Sequence, residues 1–450
     1  MAGIGWKLER MLERDTLGST LQAYLTGVAV TSAPWLLTTA VLVTLRALAR
    51  GHVAAEFAVV EQVITLTYAV TLVLSAPIHV VVSRFAADRL FERRVDLVAV
   101  PLRRALTFSL VAFLAVGTVT MLIVRPPLDI AVPGALLTAV VAAQWLLLSV
   151  GGGMSSPAGV LSAFAAGAAI SVLAALGLER AAGLGARGYL IGFTLGQGAA
   201  LVGMLLQILR SLPSAESAVP RGALRAALRE YHLLAISAVA VQAAVWIDKI
   251  VVWIANGSAA ASSLASATAL AWFTVVPAFA WIYVRVETSF YTVFRRYYRG
   301  IETGAALGEL EASARAVKSE ASRLVRGAAV VQLVVTALAL IGAPHLVRAL
   351  ELPPEAALSL RLSLIGASLQ VLTLLALLLL YYLDLRREAV RVAILEVISI
   401  GGATLIATAS GTHPALGAAI GSVVPALYAL FVVRRAVSHL VLDTFQSQPF

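Results

Sequence analysis

The sequence contains no cysteine and little charge, and both shortages exclude whole classes of protein. Among 450 residues there is no cysteine, which excludes disulfide frameworks, thiolate metal sites and cysteine nucleophiles. Only 13% of the residues are charged and 60% are hydrophobic, with a mean hydropathy of +0.91, which excludes a soluble globular fold. The composition therefore indicates a protein of the lipid bilayer.

Long apolar runs occupy most of the chain. About 20 apolar residues form a helix that crosses about 30 Å of hydrocarbon. Twelve such runs lie between charge clusters, at residues 21–48, 57–83, 102–124, 130–150, 158–178, 189–209, 233–254, 264–284, 327–346, 362–383, 392–410 and 415–433. The predicted fold class is an all-α polytopic membrane protein with twelve transmembrane helices.

The basic residues are unevenly distributed among the segments that connect these spans. If the N-terminus is cytoplasmic, the cytoplasmic segments carry 26 of the 34 lysines and arginines and the opposite loops carry 7, with Lys249 inside a span. Basic residues accumulate in cytoplasmic loops. We therefore expect both termini to be cytoplasmic, and the net charge of +10 indicates topology rather than nucleic-acid binding.

A short pattern recurs about 200 residues apart. Pro77 precedes Arg84 near the end of span two, and Pro277 precedes Arg285 near the end of span eight. Six spans per repeat predict two parallel six-helix lobes, an arrangement that encloses an alternating-access path in many transporters. Chance is the alternative, because prolines are frequent in spans.

The predicted domain organisation follows from these spans. It consists of an amphipathic N-terminal helix (residues 1–20), an N-lobe (21–209), a cytoplasmic linker (210–232), a C-lobe (233–433) and a cytoplasmic tail (434–450). Within the C-lobe, residues 285–326 form a cytoplasmic segment. Its apolar residues recur at intervals of three and four, which predicts a helix along the membrane surface. These are Leu307, Leu310, Ala314, Val317, Ala321 and Leu324. This apolar face either docks a partner or covers its own bundle.

Motifs for cofactors and catalysis are missing from the sequence. No glycines of a phosphate-binding loop precede any of the lysines, and the six histidines never have metal-ligand spacing. Gly183, Gly185 and Gly188 match a dinucleotide fingerprint but lie between two predicted spans rather than after a strand. We predict no cofactor, no metal and no catalytic residues, so the protein is not expected to be an enzyme.

Charged residues inside predicted spans are the strongest functional candidates. A charge near mid-bilayer costs at least about 2.5 kcal/mol and normally faces the bundle interior or water. Asp248 and Lys249 are adjacent in span seven, Glu396 lies in span eleven and Glu61 lies early in span two. All four are candidates for a transport pathway or for ion coupling.

Each of these charges also has a structural alternative. Adjacent helical residues point about 100° apart, so we expect Asp248 and Lys249 to have partners on other spans, either for coupling or as a structural ion pair. Glu396 is expected either to bind a proton or to pair with Arg391. Glu61 has the alternative of reaching the outer surface.

Two further features concern helix packing and the cytoplasmic ends. Gly192 and Gly196, and likewise Gly417 and Gly421, have the four-residue spacing that allows close helix contact. In the basic cytoplasmic segments, a second group of residues is predicted to form a cytoplasmic gate or to dock partners. This group comprises Arg84, Asp88, Arg89, Arg285 and Glu287.

Several segments resemble one family of membrane transporters. They are residues 1–5 (MAGIG), 32–35 (SAPW), 84–92 (RFAADRLFE), 246–249 (WIDK), 284–288 (VRVET) with Phe290, Tyr291, Tyr297 and Tyr298, and Tyr381 and Tyr382 with Asp384, Arg386, Arg387 and Glu388. These segments resemble the PelG family, the integral membrane transporters of Pel exopolysaccharide systems, within the polysaccharide and multidrug flippase (MOP) superfamily. The chain departs from the family at Ala33, where glycine is usual.

The resemblance implies export of an N-acetylgalactosamine-rich polysaccharide across the bacterial inner membrane, for a biofilm matrix. It also implies partners, namely a cytoplasmic glycosyltransferase and a membrane protein that senses cyclic di-GMP. Members of the superfamily alternate two six-helix lobes around a central pathway, often driven by a cation gradient. The alternatives are a cation-coupled exporter of drugs or lipid-linked sugars, and a scaffold that holds the synthase without transporting.

Overall fold

The computed structural model describes residues 10–11, 13, 16–50, 53–154, 157–212, 222–349 and 356–447. Within these residues the chain is helical and contains no strand. The first nine helices are α1 (Leu17–Thr31), α2 (Ala33–Ala49), α3 (Ala54–Phe91), α4 (Ala99–Val124), α5 (Leu128–Met154), α6 (Pro157–Leu176), α7 (Gly185–Ser211), α8 (Ala223–Glu230) and α9 (His232–Asn256). The others are α10 (Ser258–Phe273), α11 (Val276–Arg285), α12 (Tyr291–Glu302), α13 (Leu307–Ala349), α14 (Ala356–Tyr382), α15 (Arg386–Ala409), α16 (Pro414–Gly421), α17 (Val423–Ser438) and α18 (Leu440–Ser447).

Ten of these helical segments are long and apolar enough to cross a membrane. Two interrupted pairs raise the number to 12 if each pair counts as one span. The first pair is α1 with α2, and the second begins with α10 and α11. The predicted fold class is confirmed in this form, and the orientation of the termini stays a prediction.

Prolines account for both interruptions. The sequence predicted a continuous span at each place, at residues 21–48 and 264–284. Pro34 lies in the first turn of α2, directly after the break at Ser32. Pro277 lies in the first turn of α11, and the axis bends there by 45° relative to α10. Proline has no N–H group for a helical hydrogen bond and clashes with the preceding turn, so each helix restarts at the proline.

The chain divides into two compact units. The first unit covers Ser32–Gln242, and the second combines Ala2–Thr31 with Ala243–Phe450, as far as these residues are described. The N-terminal helix α1 therefore belongs to the second unit, although it is continuous in sequence with α2. The predicted lobe boundaries stay a prediction, and the predicted amphipathic helix at residues 1–20 falls largely outside the described residues.

The first unit is built on close contacts between small residues. An added Cβ atom would lie 2.3 Å from Ala175 N at Gly192 and 1.9 Å from Ser171 Oγ at Gly196, so α6 and α7 pack backbone to backbone. The predicted role of this glycine pair is confirmed. Larger side chains form the rest of the core, where Phe57 and Tyr189 meet edge to face at 5.5 Å.

The second unit has the same kind of glycine contact between α15 and α16. An added Cβ atom would lie 2.4 Å from Ala403 O at Gly417 and 2.6 Å from Ile400 Cα at Gly421, which confirms this predicted pair as well. Helix α1 packs on α11, where the corresponding atom at Gly27 would lie 3.2 Å from Val284 Cγ2.

Helix α13 contradicts the prediction of a separate helix along the surface. It runs for 43 residues, so the amphipathic stretch and span nine form one continuous helix. The predicted apolar face is buried, except for Leu307, within the second unit, against α11 and α12. Of the two alternatives for this face, covering its own bundle is therefore the one that the structure contains. Apolar residues recur every three or four positions on the buried face of any amphipathic helix. The pattern therefore could not distinguish a separate surface helix from the start of a longer one.

Candidate functional site

The predicted pathway residue of the first unit, Glu61, forms an ion pair with the preceding helix. Glu61 Oε1 on α3 lies 3.2 Å from Arg46 Nη1 on α2, and the two side chains are 33% and 41% exposed. Both side chains are therefore partly accessible to solvent or lipid. Because of this exposure, we assign the pair little stabilising energy.

Asp248 and Lys249 are both buried in α9, with 4% and 8% of their surface exposed. Lys249 Nζ lies 3.0 Å from Asp248 Oδ1 and donates a hydrogen bond of 2.9 Å to the carbonyl oxygen of Val245. Among the described residues neither side chain has a partner on another span, so the expectation of such partners is not met there, and Asp248 Oδ1 makes no hydrogen bond despite the nearby ammonium. The reason is the length of the lysine chain, which lets the ammonium fold back along its own helix even though adjacent Cβ atoms diverge.

Glu396 on α15 is the most isolated buried carboxylate of the four candidates. It is 3% exposed, and its Oε2 atom has no hydrogen-bond partner among the described residues. Arg391 pairs instead with Glu388, at 2.5 Å. A carboxylate that is buried without a cation favours the form that binds a proton.

Helices α9 and α15 contact each other close to these charges. An added Cβ atom at Gly401 of α15 would lie 2.8 Å from Ile247 Cγ1, the residue next to Asp248. Glu396 lies 5 positions before Gly401 on α15. The three buried charges Asp248, Lys249 and Glu396 therefore lie on two helices that touch, a proximity that spacing along the chain did not indicate.

Near the end of α3, the predicted gate residues Arg84 and Asp88 contact Tyr231, which lies in the same unit. Arg84 Nε lies 3.4 Å from Asp88 Oδ1, and its guanidinium carbon lies 5.8 Å from the centre of the Tyr231 ring. Tyr231, directly after α8, donates a hydrogen bond to Asp88 Oδ2. Burial, and then the contact with Asp88, raises the pKa of Tyr231. Arg89 pairs with Glu92 at 2.6 Å.

At the end of α11, Arg285 connects two helices of the second unit. Its guanidinium carbon lies 5.4 Å from the centre of the Trp281 ring, and Nη2 lies 3.7 Å from Oε1 of Glu320 on α13. Glu320 is 6% exposed and is also 3.5 Å from Arg323. The Trp281 ring also stacks with the ring of Tyr24 on α1, with 6.2 Å between the ring centres. Trp281 and Tyr231 were missed in the sequence, because Tyr24 and Asp88, which they contact, lie more than 140 residues away and leave no local pattern. The pairing of Glu320 with Arg285 was missed because 35 residues separate the two.

Glu287 lies in a π-helical turn, Val286–Phe290, between α11 and α12. Single π-turns are frequent at functional sites. Glu287 interacts electrostatically with the hydroxyl groups of Tyr283 and of Tyr382, at the end of α14. The structure thus brings together two motifs that are almost 100 residues apart in the sequence.

The described residues contain no group of three or more histidine, aspartate or glutamate side chains that could hold a metal ion. The charged candidates form pairs or stand alone, so the arrangement provides polar groups within an apolar scaffold. Such groups can bind a proton, an ion or a polar solute.

A family model matches residues 1–445 of the chain and is described as "PelG: Putative exopolysaccharide Exporter (EPS-E)". The chain belongs to the PelG family. The match covers both units except for the last five residues of the chain, and it includes all of the segments in which the resemblance was found. No curated protein matches the chain.

The fold of this PelG family member is similar to that of solved MATE family transporters. An inward-facing multidrug resistance MATE family transporter is 14% identical, with a TM-score of 0.65 over 93% of this chain and 94% of the other. The outward-facing conformation of such a transporter is 16% identical, with a TM-score of 0.60 over 93% and 95%. A MATE protein in complex with MaL6 is 16% identical, with a TM-score of 0.61 over 92% and 96%. At these identities the similarity concerns the fold.

Proposed function

We propose that this PelG family member exports a Pel-type, N-acetylgalactosamine-rich exopolysaccharide from the cytoplasm to the periplasm for a biofilm matrix. The observation that carries the proposal is the family match over residues 1–445, on a fold that belongs to transporters rather than enzymes. Transport rather than catalysis also agrees with the lack of any spacing typical of a nucleophile, a base and an orienting group.

The buried charges are proposed to serve transport. Asp248, Lys249 and Glu396 lie in apolar helices, where each charge is costly and is retained for a reason. We assign Glu396 the role of a group that changes its charge, because no described cation fixes it. Asp248 and Lys249 supply a dipolar pair that a polar solute or ion can approach without an uncompensated charge.

The proposed location is the bacterial inner membrane, with the termini in the cytoplasm. Proposed partners are the polysaccharide, the lipid bilayer and the synthase components, a cytoplasmic glycosyltransferase and a membrane protein that senses cyclic di-GMP. Because the chain has no native cysteine, a single cysteine near residue 447 can be labelled without background. Labelling only after permeabilisation of the inner membrane supports the orientation, and labelling from the periplasm contradicts it.

Deletion of the chain in its host tests the proposed function. N-acetylgalactosamine-rich polymer is measured separately in the medium and in the cytoplasm, and the abundance of the synthase components is monitored. We expect the polymer to disappear from the medium while it is still made or retained inside. Unchanged secretion would instead favour an exporter of drugs or lipid-linked sugars.

A scaffold role is separated from transport by substitutions in the buried pair. Asp248→Asn alone leaves the Lys249 ammonium buried without its partner, and breaking a buried pair costs about 3–5 kcal/mol, so a loss of export would be ambiguous. The double variant Asp248→Asn with Lys249→Met removes both charges together. At normal abundance and normal recovery of partners, we expect this variant to lose export, whereas a scaffold would keep it.

A further inference from the structure

Aromatic side chains from three segments of the second unit meet at the ends of α11 and α14. Tyr382 contacts Phe290 edge to face at 5.5 Å and Phe294 at 5.6 Å. Phe294 also contacts Tyr298, at 4.7 Å. We call this group, together with Tyr283, Glu287 and Tyr291, the aromatic junction.

Helix α12 holds the aromatic junction in place through a buried anchor. Tyr297 is fully buried, and its hydroxyl group donates to Thr444 Oγ1 at 3.1 Å, on α18. The opposite face of α12 carries the exposed arginines Arg295, Arg296 and Arg299. The packing of Phe290 and Phe294 against Tyr382 then fixes that ring. The junction is therefore a preorganised surface rather than a flexible loop.

Packing alone does not account for the polar groups of the aromatic junction. Tyr382 lies within electrostatic range of the Glu287 carboxylate and of the hydroxyl groups of Tyr283 and Tyr291. Tyr291 is 38% exposed, and Glu287, Tyr298 and Tyr382 are half-buried. A group that served only to fill the core would use phenylalanine and would not include a half-buried carboxylate.

We propose that the aromatic junction binds a hexopyranose unit of the transported polymer, an inference that rests on the proposed function. A pyranose has a weakly apolar face of C–H groups and a rim of hydroxyl groups. The face stacks on an exposed tyrosine ring, and the rim donates hydrogen bonds to the Glu287 carboxylate and exchanges them with the tyrosine hydroxyls. Glu287 lies in the same π-helical turn as Phe290, whose ring contacts Tyr382.

This assignment selects a sugar over an organic cation or a drug. A cation needs one carboxylate and ring faces, whereas the aromatic junction adds the phenolic hydroxyl groups of Tyr283, Tyr291 and Tyr382. Such a density of groups that both donate and accept hydrogen bonds matches a polyhydroxylated ligand.

Direct binding to the purified full-length chain in lipid nanodiscs tests the inference. The probe is a linear tetrasaccharide of N-acetylgalactosamine, titrated by calorimetry. Glu287→Gln removes the charged acceptor and is expected to weaken binding about tenfold, the value of one hydrogen bond to a charged group. Glu302→Gln, on an exposed residue at the end of α12, is the matched control and should bind like the unmodified chain.

Two substitutions at Tyr291 separate the ring from its hydroxyl group. Tyr291→Phe keeps the stacking face and is expected to weaken binding by less than Tyr291→Ala, which removes it. Because Tyr291 is exposed, both variants should fold, which protects the test if Glu287→Gln is unstable. A lipophilic cation such as tetraphenylphosphonium, titrated in the same way, should bind more weakly than the tetrasaccharide.

The inference is overturned if the unmodified chain does not bind the tetrasaccharide, or if Glu287→Gln and Tyr291→Ala both bind it normally. Stronger binding of the cation would also overturn it. These outcomes are distinct from failure of the proposed function, which is measured by the distribution of polymer between the medium and the cytoplasm after deletion. Normal export with normal binding in all variants would leave the exporter in place and remove only this site.

Discussion

The segments around Pro77 and Pro277 are similar in sequence, but their structures differ. Pro77 lies inside the unbroken helix α3, and Arg84 then pairs with Asp88 on the same helix and lies over Tyr231 of the linker. Pro277 starts the new helix α11, which passes into a π-turn, and Arg285 reaches Glu320 on another helix. Arg84 therefore contacts Tyr231, directly after α8, whereas Arg285 contacts the long helix α13.

The difference shows that the repeated proline and arginine predict where the arginine lies along its helix more reliably than they predict which residue it contacts. In each unit the arginine lies in the C-terminal part of an apolar helix and covers an aromatic ring. The partner depends on what the rest of that unit supplies, which is Tyr231 after α8 in the first unit and Glu320 on α13 in the second. Substitutions at Gly327, Arg285 and Tyr231 test this comparison, from the largest expected effect on stability to the smallest.

The contact between Trp281 and α13 should be the most sensitive. A Cβ atom at Gly327 would lie 2.2 Å from Trp281 Cζ2, so Gly327→Ala forces the indole away from Arg285 and α13. We expect a loss of about 3 kcal/mol in the free energy of unfolding, as for severe overpacking. Denaturant unfolding in detergent measures it.

Gly342→Ala on the same helix is the matched control, since nothing lies within 4 Å of the added atom. It should be neutral or stabilising by up to about 1 kcal/mol, because alanine favours helix. Equal destabilisation by the two substitutions would show that the Trp281 contact does not hold α13.

Removal of the cation at the end of α11 should have the next largest effect. Arg285→Met leaves Glu320 buried with only the exposed Arg323 nearby. Arg285 is itself 31% exposed, so we expect about 2 kcal/mol of destabilisation rather than the full cost of a buried pair. The double variant Arg285→Met with Glu320→Gln should recover part of this loss. If the double variant is as unstable as the sum of both single variants, the pair is not coupled.

The corresponding contact in the first unit should be weaker. Tyr231→Phe removes the hydroxyl group that donates to Asp88 and also interacts with Glu230, for which we expect a loss of about 1 kcal/mol in the free energy of unfolding. A spin label at residue 225, introduced as a single cysteine, reports the mobility of α8. Mobility should rise in this variant, whereas Tyr428→Phe, on α17 of the other unit, should leave it unchanged.

The same label makes the Tyr231 contact testable by pH. The pKa of Tyr231 is raised above its ordinary value of 10.0, first by burial and then by Asp88. A raised pKa means that the stabilisation is complete below pH 10.0 and is lost as the pH rises towards the value in the folded state. Label mobility should therefore increase above this pH in the unmodified chain, and the Tyr231→Phe variant should lack that increase.

Much of the fold could be predicted from the sequence, because local patterns determine it. The apolar runs predicted the spans, and the intervals from Leu310 to Leu324 predicted a helix face that is buried. Prolines 34 and 277 divide two of the predicted spans, and span hydropathy is insensitive to a single residue that lacks an N–H group.

The candidate site was less predictable, because its contacts join distant segments. Asp248 and Lys249 were recognised as buried charges, but their pairing with each other was not expected, because the Cβ atoms of adjacent helical residues diverge. The lysine chain is long enough to bring its ammonium back to the carboxylate. Glu287 and Tyr382 both lie in segments that resemble the family, yet nothing in either segment predicts that α11 and α14 end side by side.

The most direct test of the central claim, that this PelG family member moves the polymer with its buried charges, is export by the variant Asp248→Asn with Lys249→Met. It should be the only copy in the host, at normal abundance, with synthase components unchanged. We expect less than about one tenth of the normal polymer in the medium, a barrier increase of at least about 1.4 kcal/mol, with polymer retained in the cytoplasm. Normal export without these two charges would contradict the account.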